Sequence, residues 1–158
     1  MAGPWSAHVG RNGLSAHHRE GDGTTPAGTF RIGTTMYGTA PSPGVHYRYR
    51  QLRCGDWWDE NPASPTYNTF QHVRCGAVPA FGDESDSMWL KRRAYRHLAV
   101  VESNADPVVP GAGSAIFIHA DIAIPTSGCI SIARDRLVQL LRWLRPEQQP
   151  IVTIAAKL

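Results

Sequence analysis

Ser114-Ala115-Ile116-Phe117-Ile118-His119, a short loop, then Thr126-Ser127-Gly128-Cys129-Ile130-Ser131-Ile132: the reading of the chain turns on this stretch. The first run is strongly apolar and closes on a histidine, which predicts a buried strand reaching the rim of a sheet. Pro125 and Gly128 bracket the loop, and Cys129 opens the next element. Leu137, Leu140, Leu141 and Leu144 then recur at i, i+3, i+4 and i+7, which predicts an amphipathic helix from about Ala133 to Leu144. Asp135 lies in its first turn, where a carboxylate faces the positive dipole end. Arg142 and Arg145 lie in its last turn, and Pro146 stops it. Pro150 to Ile154 reads as a closing strand.

Outward from there the chain reads as strands and turns. His97 to Glu102 and Tyr47 to Leu52 suit strands, and Trp5 to Val9 suits an edge strand. Glu20 to Gly28 is a dense turn cluster leading into the alternating strand Thr29-Phe30-Arg31-Ile32-Gly33. Its glycines are not a phosphate loop, because no Gly-Lys-Ser/Thr follows and the next element is a strand. Gly 15 and Pro 12 among 158 residues also favour a loop-rich sheet protein over a helical bundle. The expected fold is mainly β with one clear α-helix after Cys129, in a single domain spanning 1–158.

A hydrophobic fraction of 42% excludes a disordered chain. No apolar stretch is long enough to span a membrane. The net charge is +3, and arginine supplies fourteen of the sixteen basic residues. They are scattered, so the basic balance gives no reason to expect nucleic acid. The N-terminus holds no apolar h-region, so either the protein is cytosolic or the chain has lost its export signal.

The segment from Cys54 to Cys75 holds Trp57, Trp58, Asp59, Tyr67, Asn68 and His72 and reads as a long ordered loop. Such loops are uncommon unless functional or stapled. A Cys54–Cys75 disulfide would staple it; a lid facing substrate and a satellite apolar cluster are compatible readings. A zinc site from Cys54, His72, Cys75 and Cys129 is the weaker alternative, since His72-x-x-Cys75 is its only ligand-like pair. No metal and no organic cofactor is expected.

His119 and Cys129 are the sharpest chemical pair. A thiolate is a nucleophile, and a nearby imidazole takes its proton. A strand ending in His and a returning Cys place both at one rim. Gly128 permits a sharp turn there, and N–H groups around Gly128 and Cys129 can face an oxyanion. The other imidazole nitrogen needs an acceptor: the Ala120 carbonyl or the Asp121 side chain. Against this stands a buried Cys beside a hydrogen-bonded His.

Three ordered motifs, Gly21-Asp22-Gly23-Thr24-Thr25-Pro26-Ala27-Gly28-Thr29-Phe30, Ile116-Phe117-Ile118-His119 and Thr126-Ser127-Gly128-Cys129-Ile130, resemble the L,D-transpeptidase catalytic domain of the YkuD type. The resemblance spans residues from about 5 to 156. It implies a β-sandwich-like fold and a cysteine acyl-enzyme on peptidoglycan stem tetrapeptides. Cys129 would attack, D-alanine would leave, and a side-chain amine would resolve the thioester as a 3–3 cross-link. With water as acceptor the reaction becomes L,D-carboxypeptidation. His119 matches the family's base, Ala120 its orienting carbonyl, and Gly128 and Cys129 the oxyanion amides, with Ser127 in support. Thr126, Ser131, Tyr67, Asn68 and His72 are expected to bind substrate. The resemblance further implies an exported, cell-wall location, a role in cell-wall biogenesis and cell shape, and acylation by carbapenem β-lactams.

The chain departs from the family pattern. Ala120 stands where Gly is commonest, Ser127 where His is, and Ser131 where an Arg often meets a substrate carboxylate. The gap between His119 and Cys129 is also shorter than usual. Arg31, Arg134 or another basic residue would have to replace that Arg. A non-catalytic cell-wall-binding module of the same fold is the alternative these departures suggest. His8, His17, His18, His46 and His97 are expected at surfaces or turns, and Trp89 and Trp143 in the packing.

Overall fold

The computed structural model describes residues 4–156. Twelve strands and one α-helix follow one another: β1 (Ala7–His8), β2 (Leu14–Ser15), β3 (Thr25–Pro26), β4 (Gly28–Gly38), β5 (Arg48–Gln51), β6 (Asp56–Trp58), β7 (Phe70–His72), β8 (Asp86–Ser87), β9 (Leu98–Val101), β10 (Phe117–Ala120), β11 (Ile130–Ile132), α1 (Arg134–Trp143) and β12 (Ile151–Ile154). The main sheet runs β1-β11-β10-β9-β4-β12, with β5 paired to the far half of β4. A three-stranded sheet, β7-β6-β8, and a two-stranded one, β2-β3, complete the architecture.

Period two along the strands sorts the core into two layers. Met36, Ala99, Val101, Ile118, Ala120 and Ile132 face one way and pack on Leu137 and Leu141 of α1. Tyr37, Leu98, Val100 and Phe117 face the other way, onto Trp58, Met88 and Tyr95. The main sheet is thus covered by the helix on one side and by the β6–β8 layer on the other. This is the mainly β, single-helix fold expected, with the helix one residue shorter at each end.

The segment between Cys54 and Cys75 differs from the long loop expected. It contains β6 and β7, which pair antiparallel as Asp56↔His72 and Trp58↔Phe70. Each strand is only three residues long, too short for alternation to be read from the letters. Cys54 and Cys75 are disulfide-bonded at the open end of this pairing. The bond takes two sulfurs from the zinc alternative. Buried Asp56 ties the layer together, accepting hydrogen bonds from Arg50 Nη2 at 2.6 Å and the Arg53 N–H at 3.0 Å, with His72 Nδ1 at 2.6 Å. Trp143 is 61% exposed, so it is not the packing residue expected. His97 is buried, with its Nε2 3.1 Å from the Pro41 carbonyl.

Candidate active site

Register decides which side chains meet. β10 and β11 run parallel with Ile118↔Ile130 and His119↔Ser131 as partners. Cys129, one residue before β11, therefore lies level with Phe117. By parity Phe117, His119, Cys129 and Ser131 share one face, while Ile118, Ala120, Ile130 and Ile132 face α1. That face is turned toward the β6–β8 layer. A neighbouring strand and a two-residue offset place the Cα atoms of Cys129 and His119 roughly 8 Å apart on it. Both side chains line one cavity of about 530 Å³.

His119 sits among aromatic and polar neighbours. Its Nδ1–H donates to the Ala120 carbonyl at 2.9 Å, and Tyr95 packs edge-on to its ring with centroids 5.5 Å apart. That bond fixes the tautomer and leaves Nε2 as the free acceptor. Burial lowers the His119 pKa below the ordinary 6.5, so the ring is neutral at pH 7. Asp121, the other candidate to orient it, is engaged elsewhere, with His8 Nδ1 at 2.9 Å and the Ser131 hydroxyl at 3.3 Å.

The thiol is held in its neutral form. Burial pushes the Cys129 pKa up to about 12. Its S–H donates to the Ala115 carbonyl at 3.2 Å, and its sulfur accepts the Phe117 N–H at 3.4 Å. No hydrogen bond joins Cys129 to His119. The resting pair is therefore thiol and neutral imidazole rather than a thiolate–imidazolium ion pair. Proton transfer from one to the other requires the S–H to swing from Ala115 toward Nε2.

The nucleophile loop is locked from the N-terminal side. Thr126 N–H donates to the Val9 carbonyl at 3.0 Å, and the Arg11 N–H donates to the Thr126 carbonyl at 2.9 Å. Gly10 passes so close to the Thr24–Thr25 backbone that no side chain fits there. Thr126 donates its hydroxyl to the Cys129 carbonyl at 2.6 Å and accepts the Gly128 N–H at 3.2 Å. The Gly128 amide is thus occupied, while the Cys129 N–H has no partner among the described residues. An oxyanion at this rim meets the Cys129 amide first.

Several sequence expectations separate here. Thr126, Ser127 and Gly128 line the cavity with Cys129 and His119. Ala120 contributes its carbonyl from a buried position. Ser131, 1% exposed, does not reach the cavity. Tyr67, Asn68 and His72 do not line it either. Tyr67 donates its hydroxyl to Glu20 behind the wall. Asn68 is a buried strut that accepts from Trp58 Nε1 at 2.9 Å and donates to the Ser103 and Asn104 carbonyls at 3.1 and 2.8 Å. His72 lies on the outer β7 strand. These three were expected at the site because the segment looked like a lid; its strand pairing instead turns them into the layer that supports the cavity wall.

The cavity also recruits residues that sequence reasoning left aside. Arg11 lines it and donates from Nη1 to the Ser127 hydroxyl at 3.2 Å, a cation that neither Arg31 nor Arg134 supplies there. Glu20, Glu60, Asp86 and Lys91 also line it. Burial, then the neighbouring Asp86 charge, raises the Glu60 pKa to about 8. Asp86 accepts the Tyr95 hydroxyl at 2.6 Å, and Lys91 Nζ lies 3.0 Å from its other oxygen. His18, expected at a surface, also lines the cavity. Its signal in the sequence is the four-residue spacing to Asp22, just ahead of the Gly-Thr-Thr-Pro run.

A sequence model of the L,D-transpeptidase catalytic domain (YkuD) matches residues 2–153. The chain belongs to that family, and the match supports L,D-transpeptidase-family activity on peptidoglycan. No curated protein and no solved structure matches the chain. Among the described residues, no helix is long and apolar enough to cross a membrane.

Proposed function

We propose that the protein is a cysteine L,D-transpeptidase acting on peptidoglycan stem tetrapeptides, with Cys129 as nucleophile and His119 as base. The observation that carries the proposal is the shared cavity on one sheet face, with His119 Nδ1–H committed to Ala120 and Nε2 left free. His119 takes the thiol proton as sulfur attacks the carbonyl before the terminal D-alanine. The Cys129 N–H stabilises the oxyanion. The C–N bond breaks, His119 returns the proton to the departing amine, and a thioester remains. A side-chain amine of a second stem resolves it as a 3–3 cross-link, whereas water gives L,D-carboxypeptidation. Residues 1–158 act as one catalytic domain, exported to the cell wall. Carbapenems are expected to acylate the same sulfur.

The test is mass spectrometry of disaccharide tetrapeptide incubated with purified protein. D-Alanine release and cross-linked dimers are expected, and Cys129→Ala should abolish both. Muropeptide binding without turnover, unchanged in Cys129→Ala, would instead identify a wall-binding module.

A further inference from the structure

The cavity holds a second imidazole, backed by a carboxylate. His18 Nδ1 lies 2.9 Å from Thr24 Oγ1 and 3.1 Å from Asp22 Oδ1, and its side chain is 7% exposed. The Thr24 hydroxyl already donates to Asp22 Oδ1 at 2.7 Å, and the Arg19 and Thr24 N–H groups donate to the same carboxylate at 2.8 Å each. These donors hold Asp22 as an anion, its pKa lowered to about 2 against the effect of burial. An anion cannot donate, so Nδ1 carries the proton and Nε2 is the free acceptor. Asp22 therefore faces the charge that protonation at Nε2 creates. The ring lies against Gly113, where a side chain would overlap it, and Cε1 is 3.8 Å from where a Cβ on Gly128 would stand. His18 thus stands beside the nucleophile loop.

Proton balance leaves a vacancy for such a group. The proposed acceptor is an amine that is an ammonium near pH 7, with an ordinary pKa of about 10.4. Forming an amide from it sheds two protons: one before nitrogen can attack, one as the C–N bond forms and the C–S bond breaks. His119 carries the second back to sulfur. The first needs another acceptor with a route to solvent. Hydrolysis has no such requirement, because water attacks with one proton to pass on.

Resting on the acyl-transfer reading above, we propose that His18, oriented by Asp22 and Thr24, accepts the proton that an incoming ammonium must lose before it attacks the Cys129 thioester. The charged groups sharing the cavity with it are Arg11, Glu20, Glu60, Asp86 and Lys91, besides Asp22 at its back.

The experiment measures the ratio of aminolysis to hydrolysis of the acyl-enzyme. It uses tetrapeptide donor and Nα-acetyl-lysine amide as acceptor, in wild type and His18→Gln, from about pH 6 to about pH 10.4, the ordinary value of the amine. Hydroxylamine, neutral at pH 7, is the second acceptor. His18→Gln is expected to lower lysine aminolysis about a hundredfold at pH 7. The deficit should shrink as pH rises toward the amine's own pKa. Acylation of Cys129, hydrolysis and hydroxylaminolysis should stay near wild type. Asp22→Asn should shift the ratio in the same direction. An unchanged ratio in His18→Gln, or equal losses with both amines and in acylation, overturns the assignment alone. A wild type that forms no Cys129 adduct overturns the acyl-transfer reading, and this assignment with it.

Discussion

The two faces of the main sheet are made by the same strands and are held by different physics. The helix face is mainly aliphatic, with Ile118, Ala120 and Ile132 against Leu137 and Leu141, and Tyr47 its one buried aromatic among the described residues. The other face mixes Phe117, Trp58 and Tyr95 with His119, Cys129 and the carboxylates around the cavity. Burial without specific geometry suffices on the first face. On the second, buried polar groups are held by specific partners, as Asp56 is by Arg50, Arg53 and His72, although Trp57 Nε1 has none among the described residues. The helix face only packs, whereas the other face both packs and holds the candidate site.

Three substitutions break this division, in order of size. Asp56→Ala should cost about 3–5 kcal/mol, because it strips the buried anion from Arg50 and His72 in the β6–β8 layer. Denaturant unfolding followed by Trp fluorescence measures it, and the cavity wall should loosen with it. Leu141→Ala, fully buried on the helix face, should cost about 2–5 kcal/mol by the same measurement. It should leave the acylation rate of the folded fraction unchanged, since the helix never touches the cavity. The paired change Cys54→Ser and Cys75→Ser opens a link across 21 residues and should cost about 3 kcal/mol. A loss well below that would mean that the Asp56 network alone organises the layer.

A fourth expectation concerns the thiol. With a pKa raised to about 12, Cys129 is protonated across neutral pH. Its alkylation by iodoacetamide should rise about tenfold per pH unit from pH 7 toward 10, without the neutral plateau of a preformed ion pair.

Legibility in the sequence follows the same line. The helix face could be read, because a leucine stripe and apolar strands repeat with a fixed period, and α1, β9 and β12 fall within a residue or two of expectation. Cys129, His119 and the Ala120 carbonyl were legible because a strand, a turn and a returning strand keep them close along the chain. The far wall was not. The β6–β8 layer depends on short pairings and on Asp56 and Asn68 reaching partners far away in sequence. His18 reaches the cavity only because the Gly21–Gly28 turns fold back beside Gly128. Tyr67, Asn68 and His72 fall outside the cavity lining for the same reason: the residue types suggest a lid, and the pairing makes a supporting layer.

The most direct test of the Cys129–His119 pair is the pH dependence of carbapenem acylation at Cys129, followed by intact mass in wild type and His119→Gln. Because burial lowers the His119 pKa, the ring stays neutral until pH falls below its ordinary 6.5, and acylation should fail only in that acid range. His119→Gln should acylate about 10²–10⁴-fold more slowly at pH 7 and lose the acid limb. Acylation of His119→Gln at the wild-type rate, with the limb intact, would contradict the pairing.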